Sequence, residues 1–105
     1  MIINFKSEDA ELIFCGDRPR RLPMEIVAAA KRKLDQLDAA VLITDLRNPP
    51  GNHLEILKDD RQGQHSIRVN NRFRICFRWV ERNPANESGK PSPGDAHDVE
   101  IVDYH

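Results

Sequence analysis

The polarity pattern changes from helical to extended about halfway along the chain. After Pro23, which is acceptable in the first turn of a helix, apolar residues recur at alternating spacings of three and four. These residues are Val27, Ala30, Leu34, Leu37 and Val41. A shorter helix is predicted over residues 8–15, because Ser7 can cap it and acidic residues follow in its first turn. The first half therefore predicts a short β-like segment at residues 2–5, followed by two helices.

The second half predicts a sheet. Residues 66–70 and 73–80 alternate apolar and polar side chains on either side of a turn at Asn70-Asn71, which is the pattern of a hairpin with one apolar and one basic face. Residues 83–97 are rich in proline and glycine, and we expect them to form a long loop. Residues 98–102 resume the extended pattern and add another strand.

This order of elements predicts an α+β fold of two layers. A short N-terminal strand and two helices would pack on one face of a mostly antiparallel sheet and leave the other face free. A chain of 105 residues has room for one hydrophobic core, so we expect a single domain spanning residues 1–105.

Charge and cysteine content exclude several classes of protein. The 16 Lys and Arg nearly balance the 17 Asp and Glu, so any nucleic-acid binding must depend on a local patch. Residues 58–82 supply such a patch, with seven Lys or Arg against three Asp or Glu. Cys15 and Cys76 lack metal-ligand spacing, so we expect free thiols and neither a metal nor a cofactor. The chain start lacks a signal pattern and the apolar runs are short, which predicts a cytoplasmic protein with no membrane partner.

Three segments can converge on the basic sheet face. They are the strand leading to Lys58, the hairpin bearing Arg68 and Arg74, and the terminal Asp103-Tyr104-His105. Cations that neutralise phosphate, together with groups that move protons, suit cleavage of a phosphodiester by the 2'-hydroxyl of RNA. Tyr104 could stack on a base or assist proton transfer, and His105 titrates in the range needed near neutral pH. The same pattern also fits a solvated, non-catalytic face.

These residues carry a resemblance to a known family. Residues 54–61, 66–70 and 72–77 and the terminal Val102-Asp103-Tyr104-His105 resemble the HigB toxins of the RelE/ParE superfamily, also called plasmid maintenance system killer proteins. Residues 58–61 are similar to the Lys-Gly-Asp-Arg motif of that family. The resemblance implies a RelE-like toxin domain and a toxin of a type II toxin–antitoxin system.

The resemblance also implies an activity and a site. Such toxins are mRNA interferases, endoribonucleases that cut mRNA in the ribosomal A site without a metal and so inhibit translation. Lys58 matches a catalytic or phosphate-stabilising lysine, and Arg74 matches an arginine placed against the scissile phosphate. Asp103, Tyr104 and His105 match the functional C-terminal motif. The candidates for RNA binding are Arg61, Arg68 and Arg78.

The chain departs from the family pattern at two positions. Glu55 stands where many HigB proteins have a histidine, and as a carboxylate it could serve as the general base. Asp59 stands where the motif has glycine, which predicts a slightly different turn.

The partner implied by the resemblance is a HigA-type helix-turn-helix antitoxin. This chain would contact operator DNA only indirectly, through that antitoxin. Two alternative functions stay open on the sequence. One is a gyrase-poisoning toxin of the ParE type, and the other is a non-catalytic antitoxin-binding regulatory module, which Glu55 keeps open.

Overall fold

The computed structural model of the chain describes residues 1–83, 90 and 92–104. Within them the order of elements is helix, helix and then strands, as predicted. The helices are α1 (Glu8–Phe14) and α2 (Met24–Ala39), and the strands are β1 (Glu55–Ile56), β2 (His65–Arg68), β3 (Phe73–Glu81) and β4 (Gly94–Asp103). The strands form one antiparallel sheet in the order β1-β2-β3-β4, which confirms the α+β fold.

The N-terminal segment lies along the outer edge of β4. Ile2 bridges Ala96 and Phe5 bridges Val99, both in the parallel direction. The backbone amide of Ile3 donates to the Ala96 carbonyl at 2.8 Å. The predicted N-terminal strand is therefore present as two isolated bridges, and it closes this edge of the sheet.

Both helices form where the polarity pattern places them. The Ser7 side chain caps α1 by accepting a hydrogen bond from the Ala10 amide at 3.2 Å, and α1 ends one residue earlier than predicted. The buried residues of α2 are Ile26, Ala30, Leu34 and Leu37. Val27 is only half-buried, and Val41 lies beyond the end of the helix and is 53% exposed. The buried face therefore begins at Ile26 and ends with the helix.

The hydrophobic core lies between the helices and one face of the sheet. The sheet contributes Ile67, Ile75, Phe77, Ala96 and Val99, which pack against Ile13, Ala30, Leu34 and Leu37 of the helices. Each fully buried large apolar side chain of this kind stabilises the fold by roughly 1.5–3 kcal/mol. No helix in the described part of the chain is both long and apolar enough to cross a membrane.

The connection predicted as a loop over residues 83–97 is shorter than expected. β4 begins at Gly94, and residues 94–97 pair with residues 78–81 of β3. The loop prediction was wrong there because the last proline is Pro93, so no residue of 94–97 lacks a backbone N–H for pairing. Residues 84–89 and 91 lie outside the described residues.

A left-handed residue turns the chain after β1. Asp59 has φ 57°, in the region that glycine adopts most easily, and it begins a 3-10 helix, Asp59–Arg61. This is the position at which the family motif has glycine. Asp59 therefore adopts a backbone conformation that glycine favours, although it carries a side chain. That the turn differs from that of the family stays a prediction.

Asp95, near the start of β4, forms ion pairs with Arg82 and with the N-terminus. Its carboxylate accepts hydrogen bonds from Nε and Nη2 of Arg82 at 2.9 and 2.7 Å, and it lies 3.5 Å from the N-terminal ammonium of Met1. The hydrogen bonds from Arg82 lower the pKa of Asp95 from 3.8 to about 2, despite the opposing effect of burial.

We predict that Asp95→Asn lowers the free energy of unfolding at pH 7, and that this deficit shrinks in acid. The folded carboxyl has the lower pKa, so the unfolded chain takes up the proton first. The stabilisation is complete above about pH 4 and is lost as the pH falls toward about 2. Urea unfolding of both proteins, in steps from pH 7 to about pH 3, measures the effect. A deficit that stays constant with pH would contradict the ion-pair origin.

We also predict that Asp59→Gly raises the free energy of unfolding by about 1 kcal/mol, because it removes the steric cost of a left-handed residue with a side chain. Asp60→Gly is the matched control: it removes the same charge from the same 3-10 helix at a residue without positive φ. This control should lower stability by roughly 0.5–1 kcal/mol. Changes of the same sign in both variants would refute the explanation.

Candidate active site on the outer sheet face

A row of polar residues crosses the sheet on the side opposite the helices, which we call the outer sheet face. Its members, one from each strand, are Glu55, Ser66, Cys76 and Glu100. Directly paired residues point to the same face and the direction alternates along each strand, so Arg68, Arg74 and Val102 form the next row on that face. The predicted basic hairpin face is therefore present, and Arg74 stands near its centre.

Arg74 is held in one orientation by its neighbours. Its Nε donates to Ser66 Oγ at 2.8 Å, and its Nη2 donates to the His53 carbonyl at 2.6 Å and lies 3.9 Å from Glu55 Oε2. The side chain is 15% exposed, whereas that of Glu55 is 58% exposed. A guanidinium stays charged at all relevant pH values, so Arg74 forms a fixed cationic group beside an accessible carboxylate.

His53 contributes its backbone to the site. It follows the 3-10 helix Pro50–Asn52 in a left-handed conformation, with φ 45° and ψ 56°, and its carbonyl accepts the hydrogen bond from Arg74. Its imidazole is exposed. The sequence does not predict this contact, because every residue has a backbone carbonyl and the acceptor therefore does not depend on the residue type.

Arg61 is engaged by an acid that the sequence reasoning missed. Its Nη1 donates to Glu100 Oε2 and to Gln64 Oε1, both at 3.2 Å, and the same oxygen of Glu100 lies 3.5 Å from Lys6 Nζ. Partial burial is the largest single effect and lowers the pKa of Arg61, but the hydrogen bond to Glu100 and the electrostatic interactions with Glu100, Cys76 and Tyr104 together outweigh it and raise this pKa. The predicted RNA-binding arginine is thus part of an intramolecular ion pair.

Tyr104 lies over the buried Cys76. The phenolic oxygen is 3.8 Å from the thiol sulfur, and the Tyr104 amide donates to the Arg72 carbonyl at 2.6 Å. Burial, together with the contact to Cys76, raises the pKa of Tyr104, and burial also raises the pKa of Cys76. Both groups are therefore neutral near pH 7. Tyr104 can donate a hydrogen bond or stack there, but it is poorly suited to act as a base.

Lys58 and Arg61 are the first and last residues of the segment 58–61. Lys58 is exposed and precedes the 3-10 helix Asp59–Arg61. Among the described residues, its side chain has no hydrogen-bonding or ionic partner. Its ammonium group is therefore available to an external anion.

Arg68 and Arg78, the other two arginines predicted to bind RNA, form contacts away from the centre of the site. Arg68 is paired with Arg74 in register, but it bonds locally, from its Nε to the Asn70 carbonyl at 3.1 Å and from its Nη2 to Asn71 Oδ1. Arg78 lies beyond the β-bulge in the β3–β4 pairing and donates to Asp98 Oδ2 at 2.7 Å. Arg68 is thus adjacent to the centre of the site, whereas Arg78 is farther along the sheet.

Asp103 and Tyr104 of the C-terminal motif lie on different sides of the sheet. Asp103 pairs with Phe73 in register, so it points to the helix side of the sheet, where its carboxylate accepts hydrogen bonds from Arg72 at 2.7 and 2.9 Å. Tyr104 turns toward Cys76 instead. The structure therefore brings Tyr104, but not Asp103, to the outer sheet face, and His105 lies outside the described residues.

The arrangement offers groups suited to chemistry on a phosphate ester. It combines the fixed cation Arg74, the exposed carboxylate of Glu55, the neutral phenol of Tyr104 and the unpaired ammonium of Lys58. Within residues 1–83, 90 and 92–104, no group of three or more His, Cys, Asp or Glu side chains could hold a metal ion.

Comparison with known proteins identifies the family. The family model described as the RelE-like toxin of the type II toxin–antitoxin system HigB matches residues 4–88. Toxin HigB-1 of Vibrio cholerae is 44% identical over 82 residues, which are 77% of this chain and 86% of that protein. Endoribonuclease HigB of Proteus vulgaris is 30% identical over 105 residues, which span both chains completely. The chain therefore belongs to the HigB family of RelE-like toxins of type II toxin–antitoxin systems.

Proposed function

We propose that this protein is an endoribonuclease that cleaves mRNA on the ribosome, without a metal ion, by acid–base chemistry on the RNA's own 2'-hydroxyl. The observation that carries the proposal is the placement of Arg74, a fixed and largely buried cation 3.9 Å from an exposed carboxylate. The family and the name of the Proteus vulgaris relative, Endoribonuclease HigB, support this class of enzyme.

The reaction sets three requirements for the site. The 2'-oxygen attacks the adjacent phosphorus, so an O–P bond forms while the bond from phosphorus to the 5'-oxygen breaks. One proton leaves the 2'-hydroxyl and another reaches the departing 5'-oxygen, which gives a cyclic 2',3'-phosphate and a 5'-hydroxyl end. The site must therefore supply a base, a proton donor and a cation for the charge that builds on the phosphoryl oxygens.

Arg74 and Glu55 supply the cation and the base in this proposal. The described contacts of Arg74 use Nε and Nη2, which leaves Nη1 to face a phosphate oxygen. Glu55 then accepts the proton of the 2'-hydroxyl. An ionised glutamate would repel the phosphate, and the neighbouring guanidinium offsets this repulsion.

Lys58 and Tyr104 complete the site. The exposed ammonium of Lys58 neutralises phosphate charge, and the neutral phenol of Tyr104 donates a hydrogen bond toward the leaving oxygen or stacks on a base. In this proposal Asp103 supports the terminus through its hydrogen bonds with Arg72. The assignment of His105 stays a prediction.

Membership of the family implies an antitoxin partner. We propose that this partner is a HigA-type helix-turn-helix protein, through which the toxin reaches operator DNA only indirectly. We further propose that the chain is one domain, acts in the cytoplasm and contacts the ribosome together with mRNA.

We predict that Arg74→Ala slows cleavage by the equivalent of about 2 to 4 kcal/mol of transition-state stabilisation, as expected for loss of a preorganised electrostatic donor. Primer extension on mRNA from a translating extract, under single-turnover conditions, gives the rate. Arg82→Ala is the matched control, because Arg82 is an ion-paired arginine outside the site. Equal rates for wild type and Arg74→Ala would remove Arg74 from the mechanism.

We predict that Lys58→Ala, and separately deletion of Tyr104-His105, abolish both growth inhibition and the appearance of new mRNA ends. Circular dichroism should show that both variants fold. Parallel reactions without ribosomes and with EDTA test ribosome dependence and the absence of a metal requirement. Persistent toxicity of both variants would contradict the catalytic assignment, and folded wild-type protein that cuts no mRNA would favour gyrase poisoning or a binding role.

A further inference from the structure

We propose that Glu100 is a positioning residue, which holds Arg61 and thereby keeps the segment carrying Lys58 against the outer sheet face. This inference rests on the proposed function, because Glu100 would act on cleavage only through Lys58. The family resemblance gives Glu100 no role, and it makes Arg61 a candidate for RNA binding. The inference gives both residues a role in positioning Lys58.

Lys58 and Arg61 belong to one closed turn. The Arg61 amide donates to the Lys58 carbonyl at 3.2 Å, and the Gln64 amide donates to the Arg61 carbonyl at 3.0 Å. The Leu57 amide donates to the Gln64 carbonyl at 2.9 Å, which closes the base of the turn. An interaction that holds Arg61 in place therefore also restrains Lys58, which lies three residues earlier in the same turn.

The turn has little support from the sheet itself. It is attached to β2 through β1, which is only two residues long, and short strand pairs are weakly stable. The side chain of Arg61 provides a second attachment, to Glu100 on β4, at the other end of the polar row. The ion pair therefore joins the catalytic segment to the long strand pair of β3 and β4.

Glu100 is well placed to hold Arg61 in position. Its side chain is 14% exposed, and its position is fixed by pairing with Cys76 in the middle of the sheet. It has two cationic neighbours, Arg61 at 3.2 Å and Lys6 at 3.5 Å. Arg61 also acts electrostatically on Tyr104, whose pKa it lowers against the larger effect of burial. Arg61 is thus linked to Lys58 through the backbone of the turn and acts electrostatically on Tyr104.

A direct role of Arg61 in RNA binding makes the opposite prediction. In that case Glu100 would compete with phosphate for the guanidinium, and removal of its charge would tighten RNA binding and speed cleavage. If Glu100 acts by positioning, removal of its charge loosens the turn and slows cleavage. The sign of the effect therefore separates the two roles.

We predict that Glu100→Gln lowers kcat for ribosome-dependent cleavage about 10- to 100-fold, the loss expected when a catalytic group is misplaced, with a much smaller change in KM. Arg61→Ala should have a similar effect. The double variant should be no slower than either single variant, because both changes break the same link. Additive losses, or faster cleavage by Glu100→Gln, would overturn the positioning role.

Amide hydrogen exchange supplies a readout that does not depend on activity. Glu100→Gln should speed exchange of the hydrogen-bonded amides of Leu57, Arg61 and Gln64 about tenfold or more. Asp95→Asn is the matched control, because Asp95 is also 14% exposed on β4 and also lies between two cations. This control should leave exchange in the turn and cleavage unchanged, although it removes an ion pair of similar geometry.

The two readouts separate failure of this inference from failure of the proposed function. Unchanged exchange in the turn, or faster exchange with undiminished cleavage, would overturn the positioning role of Glu100. Full cleavage by Lys58→Ala, measured in the same extract, would instead refute the proposed function. The exchange rates would then still show whether Glu100 holds the turn.

Discussion

In the hairpin of β2 and β3, Ile67 pairs with Ile75 while Ser66 pairs with Cys76, so alternate pairs face the core and the outer sheet face. A shift of this register by one residue would expose the isoleucines and bury the arginines. The side chain of Asn70 fixes the register at the turn, because its oxygen accepts hydrogen bonds from the amides of Arg72 and Phe73 at 2.8 and 2.7 Å. Core and site therefore depend on one turn.

The basic composition of residues 58–82 overstates the positive charge that a ligand would meet. Most arginines of this segment are compensated by acids from other parts of the sheet. The pairs are Arg61 with Glu100, Arg72 with Asp103, Arg74 with Glu55, Arg78 with Asp98 and Arg82 with Asp95. Among the described residues, Lys58 and Arg68 are cations of this region without a carboxylate partner, so they contribute most to local attraction of a polyanion.

The sequence pattern was sufficient for the helices, the hairpin and the placement of Arg74, because these depend on local periodicity. It was insufficient for Asp103, which follows Val102 in β4 and therefore points to the opposite face of the sheet. The alternation of Val99, Glu100 and Ile101 places Glu100 on the outer sheet face. Its ion pair with Arg61 could not be predicted, because the two residues are 39 positions apart and no local pattern links them.

The floor of the site is polar but uncharged, and this affects the cations above it. Ser66 and Cys76 have no exposed surface, and burial raises the pKa of the Cys76 thiol. A thiolate at this position would attract Arg61 and Arg74, both of which act electrostatically on it. The neutral thiol leaves the guanidinium of Arg74 held by the hydroxyl of Ser66 and a backbone carbonyl, which fix its orientation without neutralising its charge. Its charge is then opposed chiefly by the exposed carboxylate of Glu55, which is the group that the proposed mechanism protonates during cleavage.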